Sequence, residues 1–260
     1  MMGAVFGRLG WLVILVAGCE AGSVCGAPGE QCLAAAEATR THWGFVPDAL
    51  QRADVDGDGL ADLAGASHVR GTVSVVWGAG ATLGETATTW SVAPEVAGLV
   101  VVDVDLDGRV DLVTAAPGSD ELVVLRGTGG RGVVERRIAV GDEPRTVIAA
   151  QLAERGAQEL VTVNGDGTVS VVRGDEVSTT VVGPAPRAVA AGDLDGDGDV
   201  DLAVAVAGNA TLQVLLGDGA GGLVPGEVFA VGAAPESVVV EDLDGDGRWI
   251  WRPRMCSMDL

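Results

Sequence analysis

The chain has no tyrosine, three phenylalanines and two histidines, and its basic residues are few: 16 Lys plus Arg against 37 Asp plus Glu. Each shortage excludes something. A net charge of −21 makes nucleic acid an unsuitable partner, since affinity there comes from Lys and Arg neutralising phosphates. His42 and His68 form no Ser-His-Asp order, and no Gly-x-Ser-x-Gly turn is present. The glycine-rich run 127–132 lacks the Lys-Ser/Thr of a phosphate loop. The four cysteines do not have the spacing of a zinc site. No apolar run reaches the roughly 20 residues of a spanning helix. What the chain does hold is glycine, 40 residues of it, and much valine. Both are weak helix formers, so a helical bundle is excluded. With 48% hydrophobic residues the chain can bury a core, which excludes disorder as its general state.

The N-terminus reads as an address. Arg8 and the terminal amine precede an apolar stretch from Trp11 to Ala17, the pattern of a secretory signal peptide. Its end, Leu15-Val16-Ala17-Gly18-Cys19, resembles the bacterial lipoprotein signal. That resemblance implies cleavage after residue 18, a diacylglycerol on Cys19, and attachment to a bacterial membrane by lipid alone. The alternative is ordinary cleavage nearby with Cys19 an unmodified thiol. Residues 19–42 then form a tether. In an oxidising compartment Cys25 and Cys32 are expected to pair; otherwise they are two free thiols.

Internal repetition organises the rest. Asp54-Val-Asp-Gly-Asp-Gly-Leu-Ala-Asp-Leu63 recurs as Asp103-Val-Asp-Leu-Asp-Gly-Arg-Val-Asp-Leu112 and as Asp193-Leu-Asp-Gly-Asp-Gly-Asp-Val-Asp-Leu202. A degraded copy starts at Gln151 and a further one at Asp242. Prolines 47, 144, 186 and 235 lie at a constant offset before a loop start, and Pro94 slightly further. Val- and Thr-rich alternating runs between the loops predict four short strands per unit, such as 60–66, 72–77, 86–92 and 98–102 in the first. Four strands at a period of 42–49 residues is the pattern of propeller blades, with a β-solenoid or separate hairpins as the alternative.

The loops read as calcium cages. Positions 1, 3, 5 and 9 are Asp54, Asp56, Asp58 and Asp62 in the first loop, Asp103, Asp105, Asp107 and Asp111 in the second, and Asp193, Asp195, Asp197 and Asp201 in the fourth. Four carboxylates so close repel one another, and a hard cation that takes six to eight oxygens removes the conflict. Position 7, occupied by Leu60, Arg109 and Asp199, is expected to lend its backbone carbonyl. The degraded loop has Gln151, Ala153, Arg155 and Glu159 at the ligand positions, so it should bind no calcium, with Arg155 standing in for the ion's charge. Asp242, Asp244 and Asp246 begin a fifth cage, weak or empty because position 9 is Ile250. An EF-hand would need helices and a Glu at position 12. Solvated Asp-Gly turns are the remaining alternative.

These loops, the Asp-Leu-Ala/Val strands that follow and the period resemble FG-GAP/VCBS repeats over residues 43–248. The resemblance implies an all-β fold of four-stranded blades, a calcium-binding β-propeller of the kind found in integrin α-chains and bacterial surface proteins. Seven blades of this period need about 340 residues, so about four full blades make an incomplete ring. After Arg248 the pattern calls for Val-Asp-Leu, but the sequence reads Trp249-Ile250-Trp251. Codons for the expected residues give Trp-Ile-Trp when read one base later. Residues 249–260 are therefore expected to be an out-of-frame tail, or else a genuine short terminus.

The function expected is non-enzymatic binding or adhesion outside the cytoplasm, with a surface protein or a glycan as ligand and Ca2+ as the only cofactor. An accessory part of a larger secreted enzyme, for example a polysaccharide-active one, is the runner-up. Arg173-Gly174-Asp175 spells an adhesive tripeptide, but Gly174 is already the turn glycine of the repeat. Trp77 and Trp90 are expected to pack within a blade, and His68 to lie on a surface turn.

Overall fold

Every acid loop joins two antiparallel neighbours. The computed structural model describes residues 47–79 and 82–241, with strand segments at 4–6, 11–15, 38–42 and 250–255. Cys19, Cys25, Cys32 and Cys256 lie outside the described residues, and with them the expected lipidation and disulfide. Asp242, Asp244 and Asp246 lie outside them too. Segments β1 (Ala4–Phe6), β2 (Trp11–Leu15) and β3 (Ala38–His42) come first.

Four sets of four antiparallel strands follow, the first of them extended by β1–β3 into a seven-stranded sheet. The first holds β4 (Ala49–Ala53), β5 (Asp62–Ser67), β6 (Thr72–Ala79) and β7 (Thr82–Ser91). The second holds β8 (Ala97–Val102), β9 (Asp111–Ala116), β10 (Glu121–Gly127) and β11 (Val133–Ala139). The third holds β12 (Pro144–Ala150), β13 (Glu159–Asn164), β14 (Thr168–Arg173) and β15 (Glu176–Val181). The fourth holds β16 (Pro186–Gly192), β17 (Asp201–Val206), β18 (Thr211–Gly217) and β19 (Leu223–Ala230). A last pair, β20 (Pro235–Glu241) and β21 (Ile250–Met255), begins a fifth. No α-helix occurs among the described residues, only 3-10 turns at Pro117–Ser119 and Ala207–Asn209.

The strand framing differs from the sequence reading by one strand. The run at 98–102 is not the fourth strand of the first unit but the first strand of the second sheet. The reason is local closure: the residues on either side of each loop pair directly, Ala53 with Asp62, Val102 with Asp111, Ala150 with Glu159 and Gly192 with Asp201. A short loop costs little closure entropy compared with a pairing made across the wider gap. Glu241 pairs with Ile250 in the same register, so the fifth pair keeps the geometry with an apolar residue at the ninth position.

The second strand of each sheet is buried along its whole length. Alternation sends its residues into two different layers. Leu112 and Ala116 face the first sheet, whereas Val113 and Ala115 face the third. Leu202, Val204 and Val206 pack toward the third sheet, and Ala203 and Ala205 toward β20. The core is thus a series of aliphatic layers between successive sheets, which is how a chain without tyrosine fills its interior. Fourth strands such as β15 are mostly exposed. First strands of successive sheets, β4, β8, β12, β16 and β20, lie side by side along the inner edge of the run.

Candidate metal centre

The acid loops share one hydrogen-bonding plan. The position-1 carboxylate accepts from backbone amides at both of its oxygens: Asp54 Oδ1 from Gly57 at 2.8 Å and Oδ2 from Gly59 at 2.8 Å. Asp193 repeats this with Gly196 at 2.7 Å and Gly198 at 3.1 Å. Asp103 takes the amides of Asp107 at 3.2 Å and Gly108 at 2.8 Å. Position 3 accepts from the amide of position 5: Asp56 from Asp58, Asp105 from Asp107, and Asp195 from Asp197. Position 5 accepts from position 7, so the amides of Leu60, Arg109 and Asp199 hold Asp58, Asp107 and Asp197 at 2.8, 2.9 and 2.8 Å. An ionised carboxylate has about four acceptor sites. The amides fix the orientation of each group and leave lone pairs free.

Those lone pairs converge. One carboxylate oxygen from each of Asp54, Asp56 and Asp58 lies within 4.8 Å of the others, and the same holds for Asp103, Asp105 and Asp111, and for Asp193, Asp195 and Asp197. All are hard oxygen donors on flexible, glycine-bearing turns, the donor set that suits calcium. The ninth position does something further. Asp62, Asp111 and Asp201 are buried, each about 1% exposed. One oxygen takes the amide of position 2, from Val55, Val104 or Leu194, at 2.7, 3.1 and 2.7 Å. The other takes the amide of a glycine at or next to the end of the third strand, Gly78, Gly127 or Gly217, at 2.7, 2.9 and 2.8 Å. This carboxylate clamps the acid loop to the third strand. Spacing arguments identified the residue as a ligand and missed the clamp, though the repeated glycine was a signal for it.

The degraded loop keeps the clamp and loses the cage. Glu159, also about 1% exposed, takes the Leu152 amide at 2.9 Å through Oε2 and Arg173 Nε at 2.9 Å through Oε1. The cation that meets this loop is therefore Arg173, not Arg155 as the sequence suggested. The longer glutamate reaches a side chain where aspartate reaches a backbone amide. Gly174, at φ 60°, is the first of two residues joining β14 to β15, as a type II′ turn requires. Asp175 pairs with Arg136 of the preceding sheet. The Arg-Gly-Asp tripeptide is thereby used within the fold.

Arginines approach two of the three cages. Arg131 Nε lies 3.1 Å from Asp56 Oδ2, reaching across from the second sheet, and its guanidinium stacks 4.9 Å from the Trp77 ring. Trp77 meets Trp90 edge-on and donates to Thr88 Oγ1 at 2.8 Å, so both tryptophans pack within the blade. Arg126 pairs with Asp105, and Arg109 lies 3.6 Å from Asp107. Among the described residues no arginine reaches Asp193, Asp195 or Asp197. Desolvation, then the charges of neighbouring carboxylates, push the Asp195 and Asp199 carboxyls above their ordinary range. Burial pushes Asp62 and Asp111 up too, against the opposing pull of their backbone hydrogen bonds.

Position 4 is left-handed in every cage: Gly57 at φ 77°, Leu106 at φ 60° and Gly196 at φ 85°. A side chain added at Gly57 would touch nothing, so the backbone and not space demands glycine there. Leu106 is strained and 62% exposed. Leu106→Asn should raise stability by about 1 kcal/mol, seen as a higher urea midpoint at unchanged slope. Asp201→Ala strands two amides, those of Leu194 and Gly217, and should cost about 3 kcal/mol in chemical denaturation under chelator. Asp197→Asn under the same conditions should cost under about 1 kcal/mol, because its partner amide is exposed.

Known structures share this architecture. BBS1N in complex with ARL6DN, in a mercury-soaked crystal, matches at a TM-score of 0.57 and 12% identity over 97% of this chain and 73% of its own. In a lead-soaked crystal the match has a TM-score of 0.53 and 17% identity over 73% of this chain, which spans 58% of that one. The V. cholerae biofilm matrix protein Bap1 matches at a TM-score of 0.51 and 17% identity, over 78% of this chain and 33% of its own. A putative 6-phosphogluconolactonase from Bacteroides fragilis matches at 0.57 and 14%, over 89% and 67%. At these identities the likeness shows the fold, a propeller-like run of blades, and nothing of activity. No curated protein matches the chain in sequence. A family model described as an FG-GAP-like repeat matches two stretches, which carry the loops starting at 54, 103, 193 and 242 and leave out the degraded one. Residues 54–114 and 193–249 are thus similar to FG-GAP-like repeats.

Proposed function

We propose that this chain is a calcium-loaded, non-enzymatic binding protein that works outside the cytoplasm, lipid-anchored through Cys19 to a bacterial membrane. The observation that carries the calcium reading is the convergence of three carboxylate oxygens in each of three loops, oriented by backbone amides. Three ions would offset about six of the 21 excess negative charges. They would also relieve the like-charge repulsion that raises Asp195 and Asp199. The surface setting draws on the lipoprotein-like signal and on the fold shared with a biofilm matrix protein. A surface protein or a glycan is the partner this reading implies.

Calcium titration by calorimetry should give three sites per chain, and Asp56→Asn with Asp58→Asn should leave two. An unchanged stoichiometry in that double variant would sink the assignment. The loop at 193–201 should bind most tightly, since no described arginine competes for its carboxylates; removing Asp195 and Asp197 as ligands should therefore abolish the first, tightest phase.

The pH dependence follows from the raised carboxyls. A folded-state pKa above the ordinary value of 3.8 means that the folded protein holds more protons than the unfolded one. The contribution of Asp62 and Asp111 to stability is therefore present at low pH and lost as pH rises through their raised pKa values. Calcium binds the ionised form and reverses that loss. The rise in melting temperature on adding calcium should be small at pH 4 and larger at pH 6.5.

A further inference from the structure

Prolines open the inner strands β12, β16 and β20, and the ladder slips by one residue beside each of them. Pro144 pairs with Asn164 but Thr146 with Val163; Pro186 pairs with Val206 but Ala188 with Ala205; Pro235 pairs with Met255 but Ser237 with Arg254. The unpaired residues are Arg145, Arg187 and Glu236. A bulge re-aims its side chain away from the ladder, and bulges are over-represented beside binding sites. The residue ahead of each proline is left-handed without being glycine: Glu143 at φ 50°, Ala185 at φ 52° and Ala234 at φ 51°. Such conformations cost about 1–3 kcal/mol each and persist where the surroundings enforce them.

All three bulged residues line one cleft of about 590 Å³ at the inner edge of the run, opposite to the acid-loop ends of the same strands. Glu95, which follows Pro94, and His68 line it too. Along successive sheets the charged groups read Glu95, Glu143 with Arg145, Arg187, Glu236: two cations among three carboxylates, one of which is already paired with Arg145. The cations are under-used. Arg145 holds Glu143 at 2.9 Å through one terminal nitrogen, but its Nε is buried with no hydrogen-bond partner. Arg187 is exposed and makes no hydrogen bond or ion pair among the described residues. A buried donor on a charged group is costly to leave unmatched. One exposed guanidinium without a partner, beside another that is only half matched, in a chain of net charge −21 therefore marks a place for an acceptor from outside.

We infer that this cleft binds a hydroxyl-rich carboxylate, the chemistry of a uronic acid residue in an acidic glycan. The ligand carboxylate would sit bidentately on the planar fork of Arg187, with the remaining terminal nitrogen of Arg145 as a further donor. Glu95 and Glu236 at the two ends would accept from the hydroxyls. This deepens the reading of the chain as a binding protein and rests on it, but it does not need calcium to be the loop ion.

The test is calorimetric titration of the full chain in saturating calcium with D-galacturonate, and with D-galactose, acetate and inorganic phosphate as comparisons. Galacturonate should bind saturably and about tenfold more tightly than the other three, and Arg187→Ala should weaken it about tenfold at unchanged melting temperature. Arg187→Lys should recover little, because an ammonium lacks the fork. No saturable galacturonate binding, an unaffected Arg187→Ala variant, or equal binding of acetate or phosphate would overturn the inference. Calcium stoichiometry is read separately. Loss of galacturonate binding with three calcium sites intact removes only the cleft; three missing calcium sites with galacturonate retained removes only the metal.

Discussion

At the base of every complete blade one buried carboxylate ties the loop to the third strand, holding two backbone amides in three blades and one amide and an arginine in the other. Asp62, Asp111 and Asp201 tie the start of the acid loop to the end of the third strand, and Glu159 does the same by way of Arg173. Without that carboxylate, the loop between the first and second strands would leave a buried amide at its second residue and another at the third strand's glycine. The side chain of position 2 is buried or half-buried as a consequence, and the acid positions that follow are displayed outward in a fixed order. The cage is thus a by-product of the clamp's geometry. The third blade makes the dependence visible: its loop has lost the ligands at positions 1, 3 and 5, yet it keeps the clamp and the blade.

The acid loops also connect neighbours. The Gly130 amide of the second blade donates to the Asp56 carbonyl at 3.2 Å, next to the Arg131 contact with the same residue. Between the third and fourth blades the Glu154 amide donates to the Gly219 carbonyl at 3.0 Å, and Ala153 bridges Ala220. Ordering one loop therefore orders an edge of the next blade. Arg131 and Arg126 supply positive charge to two cages from the protein itself, whereas the third cage has none among the described residues. The same fold thus offers three similar loops in three electrostatic settings, and the difference is made by residues outside the repeat motif.

Much of this was legible in the sequence because repetition turns weak local signals into strong ones. The strands at Thr168–Arg173 and Glu159–Asn164 were readable from alternation and from the Asn164-Gly-Asp-Gly167 turn. The carboxylate sets were readable from their spacing. Three things were not. The sequence grouped the strand at 98–102 with the wrong sheet, because pairing across a loop leaves no trace in composition. It assigned the stand-in cation to Arg155, adjacent in the chain, when Arg173 arrives from another strand. It placed His68 on a surface turn, where the residue lies, but gave no sign that its Nδ1 sits 2.9 Å from the Val96 carbonyl and that its ring borders the inner cleft.

The blades and the acid loops are legible in the sequence, since both are set by contacts within about twenty residues: alternation, turn glycines and carboxylates at fixed offsets. What the spaces between blades contain depends on how the blades pack. The proline offsets were visible, but not that the residue after each would bulge from the ladder. Nor was it visible that Arg145, Arg187 and Glu236, each some forty to fifty residues from the next, would face one cleft. Side chains so far apart in sequence share a site only because the inner strands are laid side by side by the aliphatic layers that pack the sheets together. That packing is non-directional burial, and no local pattern records which distant residues it brings together.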